Sequence, residues 1–158
     1  MLDAINRLGK TAIIDVRHEQ AGTHAADGYA RATGKMGVMI ASTGPGTTNT
    51  VTGLYEAAYA SSPVLVITGQ ADTAFYGKGL SYVHEAEAQV PMLRTVARHV
   101  ESPRHIDQLQ PAFQRVVSEM MTGRRAPGAL EIPINLQYAE CADVDFAPVP
   151  ERSFAPDP

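Results

Sequence analysis

The feature that most constrains this chain is an apolar run that ends abruptly in polar residues and leads at once into a helix pattern. Residues 11–16 are mostly apolar, residues 17–19 are Arg-His-Glu, and residues 19–33 have helical periodicity with Gly34 behind them. Glycine just past a helix is a common stop signal. A strand that feeds a helix in this way brings its last residues to the carboxyl edge of a sheet, where open α/β sheets bind ligands.

The same strand-to-helix pattern recurs further along the chain. Residues 36–42 and 63–68 are continuously apolar, as is typical of strands buried on both faces of a sheet. This alternation predicts an α/β fold, a doubly wound parallel sheet with helices on both faces. The other predicted elements are the end of a helix over residues 1–9, a short helix over 87–93, a short strand over 95–100, a longer helix over 107–122 and a last strand over 128–135.

Composition excludes several classes of protein. The chain has 158 residues, 44% of them hydrophobic, which is enough for one domain with a core. A net charge of −4 argues against a nucleic-acid partner. Cys141 is the single cysteine, and the histidines lack ligand spacing, so we predict no disulfide and no metal site. Neither a membrane-length apolar run nor a secretory signal is present in the sequence, and we expect a cytoplasmic protein without a membrane partner.

Composition changes near the end of the chain. Residues 141–158 are rich in proline and poor in core residues, which is typical of an extended interdomain linker. We therefore predict one domain over residues 1–140, followed by this linker.

Two polar features at predicted strand ends are candidates for a site, and each has a plainer explanation. Residues 43–46, Thr-Gly-Pro-Gly, separate a strand from a helix but lack the spacing of a phosphate loop, so by themselves they favour a tight packing turn. Glu19 lies in a first helical turn, where glutamate is normally a solvated partner of the helix dipole. Its place at the carboxyl edge of the sheet is what favours a ligand role.

Four segments taken together resemble one family. Residues 17–20, 26–34, 43–49 and 63–70 resemble the pyrimidine-binding, N-terminal domain of thiamine-diphosphate enzymes of the acetolactate synthase type. Benzaldehyde lyase and oxalyl-CoA decarboxylase are other members of that group. The resemblance implies a lyase or carboligase that acts on 2-oxo acids.

The resemblance also implies roles for individual residues. Glu19 would bind N1′ of the aminopyrimidine of thiamine diphosphate and favour the imino tautomer that removes the C2 proton. The other implied cofactor residues are Gly44, Pro45, Gly46 and Asn49, and His84 would be a substrate contact. For Glu19 we expect burial in the assembled site to raise the pKa and to outweigh the lowering by the helix N-terminus.

The family pattern further implies parts that this sequence does not contain. Its first strand, with a Gly-x-Pro-Gly loop, would precede residue 1. The diphosphate and Mg²⁺ would be held by another domain, and FAD occurs in some members. The site would form between subunits of a homo-oligomer assembled through this domain, so we expect the chain alone to be inactive.

Three alternatives remain open from the sequence. The chain could be a non-catalytic binding or assembly module of the same fold, or a relative of the benzaldehyde lyase or decarboxylase type. It could also be a phosphate-binding regulatory domain, although the loop spacing disfavours this.

Overall fold

A computed structural model describes residues 1–80 and 82–141, over which helices and strands alternate. The helices are α1 (Leu2–Leu8), α2 (Glu19–Thr33), α3 (Pro45–Ala60), α4 (Gln89–Leu93), α5 (Ile106–Met121) and α6 (Ile134–Tyr138), and the strands are β1 (Gly37–Ala41), β2 (Val64–Gln70), β3 (His99–Glu101) and β4 (Gly128–Pro133).

The four strands form one parallel sheet in the order β1-β2-β4-β3. In β2, Val64 and Val66 pack in one buried cluster with residues of α2 and α3, whereas Leu65 packs in another with residues of α5. Because successive side chains of a strand point to opposite faces, helices cover both sides of the sheet. The predicted α/β fold with a doubly wound parallel sheet is confirmed.

Helix α2 has the boundaries that the sequence predicted. Nδ1 of His18 caps its start by accepting a hydrogen bond from the Gln20 backbone N–H at 3.2 Å. Gly34 ends it in the left-handed conformation, with φ at 69°, where glycine is tolerated without a Cβ clash. Glu19 is therefore the first residue of α2, immediately after the His18 cap.

The prediction of a strand over residues 11–16 is wrong. The backbone N–H and C=O groups of this segment make no hydrogen bond to the backbone of any described residue, and Ile14 is 83% exposed. It faces β1 across a groove of about 510 Å³. A segment forms a β-strand only when its backbone pairs with a neighbouring strand. Here the groove separates residues 11–16 from β1, so the two segments do not pair. The unpaired side of β1 therefore forms an open edge of the sheet.

Smaller differences concern element ends. The last strand ends at Pro133, because residues 134–138 turn into α6, and the short strand covers only His99–Glu101. Of the predicted linker, residues 142–158 lie outside the described part of the chain. Within residues 1–80 and 82–141, no helix has the length and apolar character needed to cross a membrane.

Candidate functional site

Glu19 and the Gly-Pro-Gly turn meet at the carboxyl edge of the sheet. Asn49, in the second turn of α3, donates a hydrogen bond from Nδ2 to Oε2 of Glu19 at 3.0 Å. The glutamate side chain is half-buried and lines the end of the groove beside β1. Two residues that are 30 positions apart in sequence are thus joined because α2 and α3 both begin at this edge.

Gly46 provides the close approach of α3 to the carboxylate. A Cβ added to Gly46 would lie 3.2 Å from Oε1 of Glu19 and 2.2 Å from Oγ of Ser42. Any side chain at this position would collide with Ser42 and crowd the carboxylate. Gly46 is itself buried, so its lack of a side chain is what lets α3 pack closely against Ser42 and Glu19, with Pro45 exposed at the first position of the helix.

The environment of Glu19 lowers the pKa of its carboxyl group. The hydrogen bond from Asn49 is the main cause, and the backbone N–H of Glu19 and the nearby His18 act in the same direction. Burial raises the pKa, but its effect is smaller than that of these lowering interactions together. In this chain the pKa of the carboxyl group is therefore lowered, and the expected rise in pKa remains a prediction for the assembled site.

His84 lies against the turn from the opposite side. Its carbonyl accepts a hydrogen bond from Oγ1 of Thr43 at 3.1 Å, and a Cβ added to Gly44 would lie 2.8 Å from that same carbonyl oxygen. His84 has a φ of 56°, a left-handed conformation that is uncommon for residues other than glycine. Such a conformation persists only where the surroundings impose it, and its side chain remains exposed.

Threonine hydroxyl groups connect the start of α3 to β2 and to the residue that follows β1. Oγ1 of Thr47 donates to the carbonyl of Ser42 at 2.7 Å and also contacts the hydroxyl of Thr68. Both threonines are fully buried. The sequence prediction did not assign a role to either threonine.

A second set of polar residues was also missed from the sequence. Gln70, Gln89 and Glu131 are buried and hydrogen-bonded to one another behind the Thr43–Gly44 turn. One signal was available, since Glu131 is the only charged residue in the otherwise apolar strand β4. Nothing in the sequence around Gln89 indicated that it would be buried.

The carboxylate at this edge could bind a ring nitrogen, because Glu19 is half-buried and lines the end of an open groove. Within residues 1–80 and 82–141 there is no group of three or more histidine, cysteine, aspartate or glutamate residues that could hold a metal ion.

Comparisons with known proteins point the same way. The family model described as "Thiamine pyrophosphate enzyme, N-terminal TPP binding domain" matches residues 1–114. The probable acetolactate synthase large subunit of Methanococcus aeolicus is 38% identical over 136 residues, which are 86% of this chain and 22% of that protein. The acetolactate synthase large subunit of Buchnera aphidicola subsp. Schizaphis graminum is 36% identical over 134 residues, 83% of this chain and 22% of that protein.

A relative with a different name is nearly as similar. The 2-hydroxyacyl-CoA lyase 2 of Bos taurus is 33% identical over 138 residues, which are 87% of this chain and 21% of that protein. The chain thus spans about a fifth of the length of each of these relatives.

Proposed function

The chain belongs to the thiamine pyrophosphate enzymes, as their N-terminal TPP-binding domain, and from this premise we propose that Glu19 activates the aminopyrimidine of thiamine diphosphate in an acetolactate synthase-like lyase or carboligase. The single observation that supports this most directly is the carboxylate of Glu19, which Asn49 holds at the carboxyl edge of the sheet, where it lines the end of the groove beside β1.

In this proposal each residue of the edge has one task. Glu19 would bind the ring nitrogen N1′ and exchange a proton with it. Asn49 holds the carboxylate in place through its hydrogen bond. Gly44, Pro45 and Gly46 would form the wall against which the ring lies, and His84 would face the substrate from the loop beside the turn.

Thiamine diphosphate, when bound, supplies the electron sink needed to cleave or form a carbon–carbon bond next to the carbonyl of a 2-oxo acid. The chain's own contribution would be to orient the pyrimidine and to hold a proton at the carboxyl group of Glu19. Mg²⁺ and, where present, FAD would be held by parts of the enzyme outside this domain. The active enzyme would be a cytoplasmic homo-oligomer joined through this domain, and the isolated chain would be inactive.

Two other functions are the alternatives. The first is a lyase of the benzaldehyde lyase or decarboxylase type, which the similarity to 2-hydroxyacyl-CoA lyase 2 supports. The second is a non-catalytic assembly module of the same fold, which would not need the pairing of Glu19 with Asn49 that is present here.

The test is a chimera in which this chain replaces the aligned 136 residues of the Methanococcus aeolicus protein. We expect the chimera to exchange the C2 proton of thiamine diphosphate for deuterium, as followed by NMR. Glu19→Gln should slow this exchange by at least about a hundredfold, which is the usual size of a positioned acid–base contribution.

Glu87→Gln, a change of the same chemistry at an exposed position, is the matched control and should leave the exchange rate unchanged. Thermal melts of all three proteins show whether they are equally folded. Normal C2 exchange in the Glu19→Gln chimera would end the assignment, and a folded chimera that exchanges no C2 proton would favour the assembly module. Assays with pyruvate and with a 2-hydroxyacyl-CoA separate the synthase from the lyase.

A further inference from the structure

Behind the turn lies a carboxylate that the proposed chemistry does not use. Glu131, in the middle of β4, is fully buried. Its Oε2 accepts hydrogen bonds from Nε2 of Gln70 at 3.0 Å and from Nε2 of Gln89 at 2.7 Å. Its Oε1 accepts from Oγ of Ser102 at 2.7 Å, and a guanidinium nitrogen of Arg104 lies 3.5 Å away. Both carboxylate oxygens thus have donors.

Gln89 connects this carboxylate to the turn. The side chain is 1% exposed, and its Oε1 accepts a hydrogen bond from the backbone N–H of Gly44 at 2.8 Å and lies 3.2 Å from Oγ1 of Thr43. Its Nε2 donates to Glu131 and, at 2.9 Å, to the carbonyl of Gly69. Because the backbone N–H of Gly44 can only donate and the carbonyl of Gly69 can only accept, the amide of Gln89 has one orientation, with its oxygen toward Gly44.

The turn that Gln89 holds determines where α3 begins. Gly44 is the N-cap of α3, with φ at 61° and ψ at −117°, a conformation that favours glycine. Gly46 and Asn49, which contact or approach Glu19, lie in the first two turns of the same helix. A shift of the turn would therefore move both partners of Glu19.

A purely structural role explains this network poorly. Buried ionised groups are expensive to desolvate, and well-packed apolar residues in their place are often as stable or more so. A polar network restricts its side chains to one arrangement, because every donor and acceptor has to be satisfied at once. Here the network includes the backbone N–H of Gly44, and it therefore fixes the position of the turn at the edge of the candidate site.

We propose that Gln89 and Glu131 are positioning residues of this site, which fix the Thr43–Gly44 turn and, through α3, the approach of Gly46 and Asn49 to Glu19. This inference rests on the proposed function for its consequence in catalysis, but its structural part stands on the 158-residue chain alone.

The first measurement is the hydrogen exchange of the Gly44 amide in the full chain, followed by NMR. Gln89→Met has a similar volume without the acceptor, and we expect the Gly44 amide to exchange about tenfold faster, as for the loss of one buried hydrogen bond. Gln114→Met, at a half-buried position on α5, is the matched control and should leave this amide unchanged.

A swap of the two groups tests whether they act as a pair. Gln89→Glu alone places two carboxyl groups side by side, which can be accommodated only while they share a proton. Protection of Gly44 in this variant should therefore be present at low pH and be lost as pH rises, whereas the parent chain should show no such dependence. Adding Glu131→Gln restores one carboxylate and one amide, and should remove the pH dependence and recover part of the protection.

The chimera gives the catalytic readout. Gln89→Met should slow C2 exchange by about tenfold or more while the melting temperature stays close to that of the Gln114→Met control. Unchanged Gly44 protection in Gln89→Met would overturn the positioning role, as would normal C2 exchange in a variant whose Gly44 amide is exposed. The amide measurement needs no cofactor, so it decides the structural part even if the parent chimera is inactive and the proposed function fails.

Discussion

At the scale of single residues, the chemistry of this edge depends on the partner of Glu19. A glutamate in a first helical turn already has its pKa lowered by nearby backbone N–H groups. The amide of Asn49 is the largest single cause of the lowering here, and it comes from a different helix. The protonation state of Glu19 is therefore sensitive to any change in how α2 and α3 meet.

Asn49→Ala should raise the pKa of Glu19 toward its ordinary value, because the main cause of the lowering is removed. A carboxyl group with a lowered pKa in the folded state adds stability above its unfolded pKa, and this stability is lost as pH falls through the folded pKa. The variant should lose less stability on acidification than the parent. NMR titration of the Glu19 side-chain carboxyl measures the pKa directly.

Asn135→Ala is the control for this titration, since Asn135 pairs with Thr73 at a different place on the sheet edge. This variant should leave the pKa of Glu19 unchanged. An unshifted Glu19 pKa in Asn49→Ala would mean that the backbone and His18, and not Asn49, determine the ionisation.

At the scale of elements, the site depends on how closely α2 packs on α3. Gly53 of α3 faces Thr23 of α2, and a Cβ added to Gly53 would lie 2.7 Å from Cβ of Thr23. Thr23 is fully buried and donates from Oγ1 to the Glu19 carbonyl at 2.9 Å, so it has little freedom to move. The glycine is what lets the two helices approach closely enough for Asn49 to reach Glu19.

Gly53→Ala should destabilise the fold by about 1–3 kcal/mol through overpacking. The same change at Gly28, which is exposed on α2 with nothing within 4 Å of an added Cβ, should stabilise it by about 0.5–1 kcal/mol. Both are glycines inside helices, so the difference between them isolates the packing between α2 and α3. Urea unfolding measures both changes, and a stabilised Gly53→Ala would show that the helices can separate without cost.

At the scale of the whole molecule, the sheet has an unprotected edge. Strand β1 pairs with β2 on one side, and on the other it faces the groove and the unpaired segment 11–16. Val38, on β1, is 48% exposed. Unpaired edges with apolar side chains are templates for pairing with another chain. We therefore expect this edge to promote self-association.

We expect the chain to self-associate as its concentration rises, as measured by size-exclusion chromatography with light scattering. Val38→Lys should reduce this association, because a lysine on an edge strand opposes pairing. Leu80→Lys, which changes an exposed leucine in a loop, is the control and should have little effect. A parent chain that stays monomeric at every concentration and melts cooperatively would contradict the prediction.

Much of this fold could be predicted because its signals are local. The caps of α2 depend on His18 and Gly34, which lie next to the helix that they end. The buried parallel strands follow from short continuous apolar runs. Glu19 meets the Gly44–Gly46 turn because α2 and α3 begin at the same edge, although the segment before α2 is not a strand. The sequence by itself thus determined the class of fold, and the role of the residues at this edge stays a prediction.

Only the tertiary structure decided what depends on residues far apart in the chain. Segment 11–16 has the composition of a strand but no neighbour to pair with, and pairing is not encoded within the segment. Gln89 and Glu131 meet across 42 positions, and the pKa of Glu19 follows from an amide 30 positions away. Hydrogen bonds and burial act through distances in space, so local patterns predict elements, whereas their partners emerge only when those elements pack.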